Sequence, residues 1–292
     1  MEKIIFGDNQ FFGINHMSEE RAQALAEKFR DLKAITDVLK TAWDVGIRGF
    51  MLNSNDRAKE ICDFLRKNKE SFEGLRLYPS IPYPHKYANL VTEKGIINTI
   101  RDVLCSENTA KESLGLIWKG GAFFSSGGDA TKIMELLIDV EMQVFRELNV
   151  EVVFLQNVVT DLVLGLGLKE VFIHYYAYIK EKYNAEPGFI TMNLPKLVAF
   201  LTEVCGLDNP IVCSPINKRG YFMNPSAEAC EEVIAKRKFR PVAMSIYASG
   251  AIPPKEAIEY ISNQKNINAI VFGASSKKNI EETIGLIKQC SD

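Results

Sequence analysis

The sequence predicts an α/β chain folded as one (β/α)8 barrel, the TIM-barrel class. Short β-rich runs alternate with amphipathic helical patterns, which is typical of repeated βα units around a parallel sheet. Eight such units fit a chain of 292 residues. A doubly wound open sheet is the alternative, but it predicts a GxGxxG turn after an early strand, and the sequence has none. No shift in composition marks a boundary, so residues 1–292 are predicted to form a single domain.

Each predicted strand is a short apolar run next to a turn or cap signal. After strand one and a polar segment, apolar residues recur at helical spacing from Leu32 to Trp43, and Gly46 stands where a C-cap glycine is expected. Asp56 is placed to cap the helix after strand two. The strands are predicted at Lys3–Gly7, Arg48–Leu52, Leu75–Ile81, Val150–Leu155, Gly188–Met192, Pro210–Pro215, Pro241–Ile246 and Ala269–Phe272.

The stretch 85–130 breaks this alternation. It contains a helical pattern, a short apolar run and the glycine- and serine-rich segment KGGAFFSSGGDA. Connections of this length in compact domains are usually lids or binding loops. We therefore predict a long insertion after strand three, which is either a lid over the site or a decoration of the barrel.

Composition and charge narrow the class of protein. The 35 basic and 37 acidic residues give a net charge of −2, so no basic stripe predicts binding to nucleic acid or to a membrane surface. The apolar runs fall far short of the roughly 20 residues of a membrane span, and MEKIIFG is too short for a signal peptide. The six cysteines are scattered, as expected of free thiols in a reducing cytosol. We expect a cytoplasmic protein that binds a small-molecule substrate.

Polar side chains follow almost every predicted strand, whereas the strand interiors are apolar. Because the carboxyl ends of the strands meet on one face of such a barrel, these side chains are predicted to line one small-molecule pocket. Buried amides cost free energy unless they find a hydrogen-bond partner, so their number favours a ligand site. The predicted substrate-binding residues are Asn9, Asn53, Gln156, Asn193, Asn217 and Tyr247.

The last two units carry the pattern of an anion site. Small residues in ASGAIPP and GASSKKNIEE precede predicted helix starts, where backbone N–H groups can meet a phosphate. Ordinary capping of these helices by serine is the alternative. The predicted phosphate- or cofactor-binding residues are Ser249, Gly250, Gly273, Ser275, Ser276 and Lys277.

Four titratable side chains in strand-end loops are the predicted catalytic groups. Asp8 and His16 follow strand one and His85 follows strand three, and histidine suits proton transfer near neutral pH. A divalent metal held by these three is an alternative that no spacing motif such as HExxH supports, so no metal is predicted. Lys218 lies past strand six, where it would bind an anion, form a Schiff base with a carbonyl or be a surface residue. The third histidine, His174, lies among tyrosines in a predicted helix, where it is predicted to have a packing or interface role.

Several of these segments resemble the aldo-keto reductases. ITDVLKTAWDVGIRGFMLNS is similar to that family's second strand and the helix before it, GFITMN to its fifth strand, and INAIVFGASSKKNIEETIGLIK to its last unit. The resemblance implies a TIM barrel and NADPH as a cofactor, with the 2′-phosphate at the last unit. It also implies that Asn193 meets the nicotinamide carboxamide and that Tyr247 stacks on the nicotinamide ring.

The reacting residues of that family differ in this sequence. Aldo-keto reductases have Asp and Tyr after strand two, Lys at the end of strand three and His at the end of strand four. Here the aspartate position is Asn53 with no tyrosine following it, Lys86 is displaced, and Gln156 stands at the histidine position. The resemblance therefore does not explain how a carbonyl oxygen would be protonated.

Three functions remain open at this point. The first is an enzyme of lyase, aldolase or isomerase type that acts on a small anionic or phosphorylated carbonyl compound. The second is a diverged NADPH-dependent reductase that uses Tyr83 or His85 as its acid. The third is a non-catalytic ligand-binding barrel. A homo-oligomer is a further prediction, because aromatic residues in excess of one buried stripe often mark an interface; the residues are Tyr175, Tyr176, Tyr178 and Tyr183.

Overall fold

A closed barrel of eight parallel strands in the order of the sequence is the framework of the molecule. The computed structural model describes residues 1–14, 18–83 and 130–291. The barrel closes between the first and last strands, where Ile4, Ile5 and Phe6 pair with Ile270, Val271 and Phe272. The predicted (β/α)8 class is confirmed. The insertion predicted at 85–130 lies outside the described residues except for its last one.

The strands lie close to their predicted positions. The largest differences are two residues: the fourth strand begins later than predicted, the fifth begins and ends earlier, and the seventh ends earlier. Just past the end of the fifth strand, the Thr191 hydroxyl and the Met192 N–H both donate to the Asp161 carboxylate. The bounds are β1 Ile4–Phe6, β2 Gly49–Asn53, β3 Arg76–Ile81, β4 Val152–Leu155, β5 Glu186–Ile190, β6 Ile211–Pro215, β7 Arg240–Met244 and β8 Ala269–Phe272.

Two helices of the described residues, α1 (Glu19–Lys28) and α5 (Asn157–Gly165), were not predicted from the sequence. The prediction for Asp56 was wrong, because α3 (Ala58–Lys67) begins one residue later than an Asp56 cap requires and has no side-chain cap. The bounds are α1 Glu19–Lys28, α2 Leu32–Asp44, α3 Ala58–Lys67, α4 Ala130–Met142, α5 Asn157–Gly165, α6 Lys169–Tyr183, α7 Leu194–Ala199 with a π-helical turn Phe200–Val204, α8 Ala227–Lys236, α9 Pro254–Ser262 and α10 Lys277–Ser291.

Side chains fill the barrel interior, so the barrel is a packed core and not a pore. Along each strand alternate residues point inward, and the Phe154 ring of β4 takes the space beside Gly188 of β5. A Cβ at Gly188 would lie 2.6 Å from that ring. The buried inward-facing side chains are Ile5, Met51, Tyr78, Val152, Phe154, Ile190, Ile211, Cys213, Val242, Ala269 and Val271.

The tyrosines predicted to mark an oligomer interface have partners inside the molecule. Tyr175 is fully buried and donates to the Val153 carbonyl at 2.7 Å. Tyr178 and Tyr183 both donate to the Asp139 carboxylate of α4, at 2.6 and 2.7 Å. These contacts join α6 to β4 and α4, so internal packing accounts for most of this aromatic pattern. Within the described residues, no helix is both long and apolar enough to span a bilayer.

Candidate functional site

A cavity of about 1240 Å³ opens at the C-terminal ends of the strands. Its apolar floor is the uppermost inward-facing layer of the barrel, formed by Met51, Ile190, Met244 and Val271. The polar groups around this floor come from residues at or just after the strand ends. The cavity therefore lies where barrels of this class bind their ligands. The polar residues from the ends of β1 to β4 that line the cavity include Asp8, Asn53, Ser80, Tyr83 and Gln156.

A chain of hydrogen bonds joins three of these residues across β1, β2 and β4. The Asn53 side-chain amide donates to the two Asp8 carboxylate oxygens at 2.9 and 3.1 Å, and the Asn53 backbone N–H donates to Asp8 Oδ2 at 2.7 Å. Gln156 Nε2 in turn donates to Asn53 Oδ1 at 2.9 Å. An ionised carboxylate can only accept hydrogen bonds, so the NH2 group of the Asn53 side chain must face Asp8. The Asn53 side-chain oxygen then faces Gln156, which donates to it.

Burial changes the acid–base behaviour of Asp8. The residue is only 2% exposed, and this burial raises its pKa to about 6, against the opposing effect of the hydrogen bonds from Asn53. A carboxyl group with that pKa exchanges a proton readily at neutral pH, which general acid–base catalysis requires. The combination of a cavity wall, burial and a pKa near neutrality marks Asp8 as a functional-site candidate.

Tyr83 is the second titratable group on this side of the cavity. Burial is the main reason that the pKa of Tyr83 is raised, and the negative charges of Asp8 and Asp56 raise this pKa further. Its hydroxyl therefore keeps its proton at neutral pH and stands within electrostatic reach of Asp8.

Six of the other predicted residues line the cavity with Asp8, Asn53 and Gln156. The Tyr247 hydroxyl forms a 2.7 Å hydrogen bond with the Thr283 hydroxyl. Burial raises the pKa of Tyr247 to about 12. Gly273 lies against the side chain of Gln10, which would collide with a Cβ at position 273. Gln10 Nε2 donates to the Gly7 carbonyl at 2.7 Å. The six are Asn9, Tyr247, Ser249, Gly250, Gly273 and Ser275.

Five predicted residues lie outside the cavity because their side chains have structural partners. The Asn193 side chain caps α7 by accepting from the Lys196 N–H, and Asn217 is fully buried with its amide bonded to the Tyr221 backbone. Lys218 is exposed and pairs with Glu256 at 2.9 Å. Ser276 accepts from the Asn279 N–H at the start of α10, and Lys277 pairs with Glu281 along that helix. The five are Asn193, Asn217, Lys218, Ser276 and Lys277.

His16 and His85, the two predicted catalytic histidines, lie outside the described residues, as does Lys86. His174 lies on α6, with its Nε2 2.7 Å from the Glu135 carboxylate of α4, so it contributes to helix packing as predicted. The metal alternative, which needs both His16 and His85, stays untested.

Helix α1 contributes a wall of the cavity that the sequence analysis treated as a polar segment. Its residues Arg21, Ala24, Leu25 and Lys28 line the cavity. Their spacing of i, i+3, i+4 and i+7 puts them on one helical face. That spacing was visible in EERAQALAEK, but only one of the four is a large apolar residue, so hydrophobic periodicity did not reveal the helix.

Comparisons with known proteins identify the fold. No family model matches the sequence, and no curated protein matches it. Among solved structures, PA4992 of Pseudomonas aeruginosa, provisionally assigned as an aldo-keto reductase, is 13% identical with a TM-score of 0.59, over 100% of this chain and 91% of that chain. A Bombyx mori (silkworm) aldo-keto reductase is 10% identical with a TM-score of 0.58, over 100% and 83%.

A third solved structure, of a thermostable aldo-keto reductase with the inhibitor epalrestat, is 11% identical with a TM-score of 0.55, over 99% and 90%. The resemblance inferred from the sequence is therefore confirmed as a likeness of fold over the whole chain. At these identities the likeness says nothing about the reaction.

Proposed function

We propose that this chain is an enzyme that moves a proton on a small anionic carbonyl compound bound in the cavity, with Asp8 as the acid–base group. The observation that carries the proposal is the position of Asp8, a buried carboxyl group with a pKa near neutrality beside the cavity floor. General acids and bases are most effective when their pKa lies near the working pH.

The reaction follows from the chemistry of the groups. The Asp8 carboxylate takes the proton from the carbon next to the carbonyl. The C–H electron pair becomes a C=C bond and the C=O π pair moves to the oxygen, which gives an enolate. Tyr83, which keeps its proton at neutral pH, donates a hydrogen bond to that oxygen. Where that carbon carries a hydroxyl group, the hydroxyl proton passes to the enolate oxygen and Asp8 returns its proton to the former carbonyl carbon, which gives an isomerase. Where Asp8 instead takes the proton of a hydroxyl group one carbon further on, the C–C bond breaks to release an aldehyde and the enolate. Asp8 then protonates the enolate carbon, which gives an aldolase or lyase.

Asn53 and Gln156 act as positioning residues in this scheme. Asn53 holds both carboxylate oxygens of Asp8, and Gln156 holds the Asn53 amide. This arrangement fixes the direction from which Asp8 meets the substrate, and correct positioning of a catalytic group is a large part of its effect.

A diverged NADPH-dependent reductase is the second candidate, favoured by the barrel fold and by the reach of the cavity to Tyr247 and the loop after β8. The residues fit NADPH poorly. Asn193, expected at the nicotinamide carboxamide, caps a helix, and Ser276 and Lys277, expected at the 2′-phosphate, lie outside the cavity. We therefore assign no step to this cofactor.

Proton exchange with solvent tests the first candidate. The protein is incubated in D2O with phosphorylated sugars and keto acids, and loss of the proton next to the carbonyl is followed by NMR. We expect exchange on at least one compound, and a loss of at least about 100-fold in Asp8→Asn. Asp44→Asn is the matched control, because it removes an exposed carboxylate at the end of α2 and outside the cavity.

Two other outcomes would favour the alternatives. Binding of NADPH in a fluorescence titration, with reduction of a carbonyl compound and no exchange, would support the reductase and contradict the proposal. Binding of these compounds without any exchange or turnover would support the non-catalytic barrel.

A further inference from the structure

We infer that helix α1 supplies the charges that hold the anionic end of the ligand, and that this end is a phosphate monoester bound between Arg21, Lys28 and the loops after β7 and β8. The inference rests on the proposed function for the location of the ligand, which it extends by naming the anion and its binding residues.

Helix α1 lies along one wall of the cavity. Its lining face points into the cavity, while none of its residues is buried. Gly13, whose φ is +64°, brings the preceding turn against the helix, and a Cβ there would lie 2.7 Å from the Ala22 carbonyl oxygen. Lys28 donates to the Ser275 carbonyl in the loop after β8. The helix therefore stays beside the cavity without being part of the hydrophobic core.

The charges in the cavity are unevenly placed. Of the described residues that line it, the two basic ones, Arg21 and Lys28, are both on α1, and the two acidic ones are Asp8 and Glu282. The Arg21 guanidinium lies over the loop after β7, where a Cβ on Gly250 would be 3.5 Å from Arg21 Nη1. The positive charge is thus concentrated between α1 and the two loops.

The donors in this region match a phosphate better than a carboxylate. A guanidinium presents a planar fork of N–H groups suited to two oxygens at once, and an ammonium has three donors, of which Lys28 gives one to Ser275. The hydroxyls of Ser249 and Ser275 line the same part of the cavity. These groups together provide more donors than the two oxygens of a carboxylate accept, whereas a phosphate monoester presents three oxygens.

At the start of α10, where the sequence predicted the anion, the polar side chains already have partners within the protein. Ser276 caps that helix and Lys277 pairs with Glu281 on an exposed surface. Glu282 of the same helix lines the cavity. The anion is therefore expected beside α1 and Ser275, and not at Ser276 and Lys277.

Titration calorimetry with methyl phosphate and with acetate, on the full chain at low salt, tests the inference. We expect wild type to bind methyl phosphate more tightly than acetate. Arg21→Gln and Lys28→Gln should each weaken methyl phosphate binding by at least about 10-fold, the effect of losing a charged hydrogen bond. Arg30→Gln is the matched control, since it removes an exposed charge just past α1 and outside the cavity, and it should change the affinity less than two-fold.

Three results would overturn the inference: no binding of methyl phosphate, binding equal to that of acetate, or equal binding by wild type and Arg21→Gln. Asp8→Asn separates this test from that of the proposed function. It should lose proton exchange and keep methyl phosphate binding, so each claim can fail while the other stands.

Discussion

Asn53 donates three hydrogen bonds to Asp8, two from its side-chain amide and one from its backbone N–H. The two residues come from neighbouring strands, at the end of β2 and just after β1, and they are 45 positions apart in the sequence. Because these bonds oppose the effect of burial on the Asp8 pKa, they set how readily this carboxyl group takes up a proton.

Asn53→Ala should move the pH dependence of the reaction. The side-chain hydrogen bonds from Asn53 lower the Asp8 pKa, so the pKa rises when they are removed. Asp8 then becomes ionised, and able to act as a base, only at a higher pH. We expect the acidic limb of the rate profile to shift upward by roughly one pH unit. A lower rate with an unchanged limb would show that Asn53 has only a structural role.

Asp8 should also make stability depend on pH in an unusual direction. Burial raises its pKa from 3.8 to about 6 in the folded protein, so between these values the folded state binds more protons than the unfolded state. Stability from this group is fully present below pH 4 and is lost as pH rises through 6. The shift corresponds to about 3 kcal/mol. Denaturant unfolding of wild type and Asp8→Asn from pH 4 to 8 should show wild type losing stability relative to the variant; parallel curves would refute this.

Two glycines should respond oppositely to alanine. Gly188→Ala places a Cβ against the buried Phe154 ring, so we expect a loss of about 1–3 kcal/mol in unfolding free energy. Gly285→Ala on α10 meets nothing within 4 Å, and we expect a gain of up to about 1 kcal/mol from helix propensity. Chemical denaturation measures both. Equal effects would mean that the barrel interior is less tightly packed than described.

Lys218→Ala should leave activity and stability nearly unchanged. Both members of its ion pair with Glu256 are exposed, and solvent screens such pairs so that they contribute little to stability. Borohydride trapping with a ketone substrate should give no mass adduct at Lys218, whereas an adduct would restore the Schiff-base role that the sequence left open.

The order of strands and helices could be predicted from the sequence because each strand is an apolar run with a turn signal beside it. The position of Asp8 just after β1 also placed it correctly on the cavity wall. Helix α1 could not be predicted in this way, because the face it turns to the cavity includes Arg21 and Lys28 and none of its residues is buried.

Proximity to a strand end did not show where a side chain points. Asn193, Asn217 and Ser276 all follow strands, yet their polar atoms bind the nearby backbone. Asn, Asp and Ser favour both helix caps and ligand sites, so their residue type does not separate the two roles. The partnership of Asp8, Asn53 and Gln156 needed the structure, because it joins residues up to 148 positions apart.

An NMR titration of Asp8 decides whether this carboxyl group can act as the acid–base group of the cavity. The carboxyl carbons of ¹³C-labelled aspartate are followed by NMR as pH is varied, and the signal lost in Asp8→Asn identifies this residue. We expect a midpoint near pH 6. A midpoint near the ordinary value of 3.8 would contradict this expectation, because Asp8 would then be a fixed anion at neutral pH and a poor acceptor of the substrate's proton.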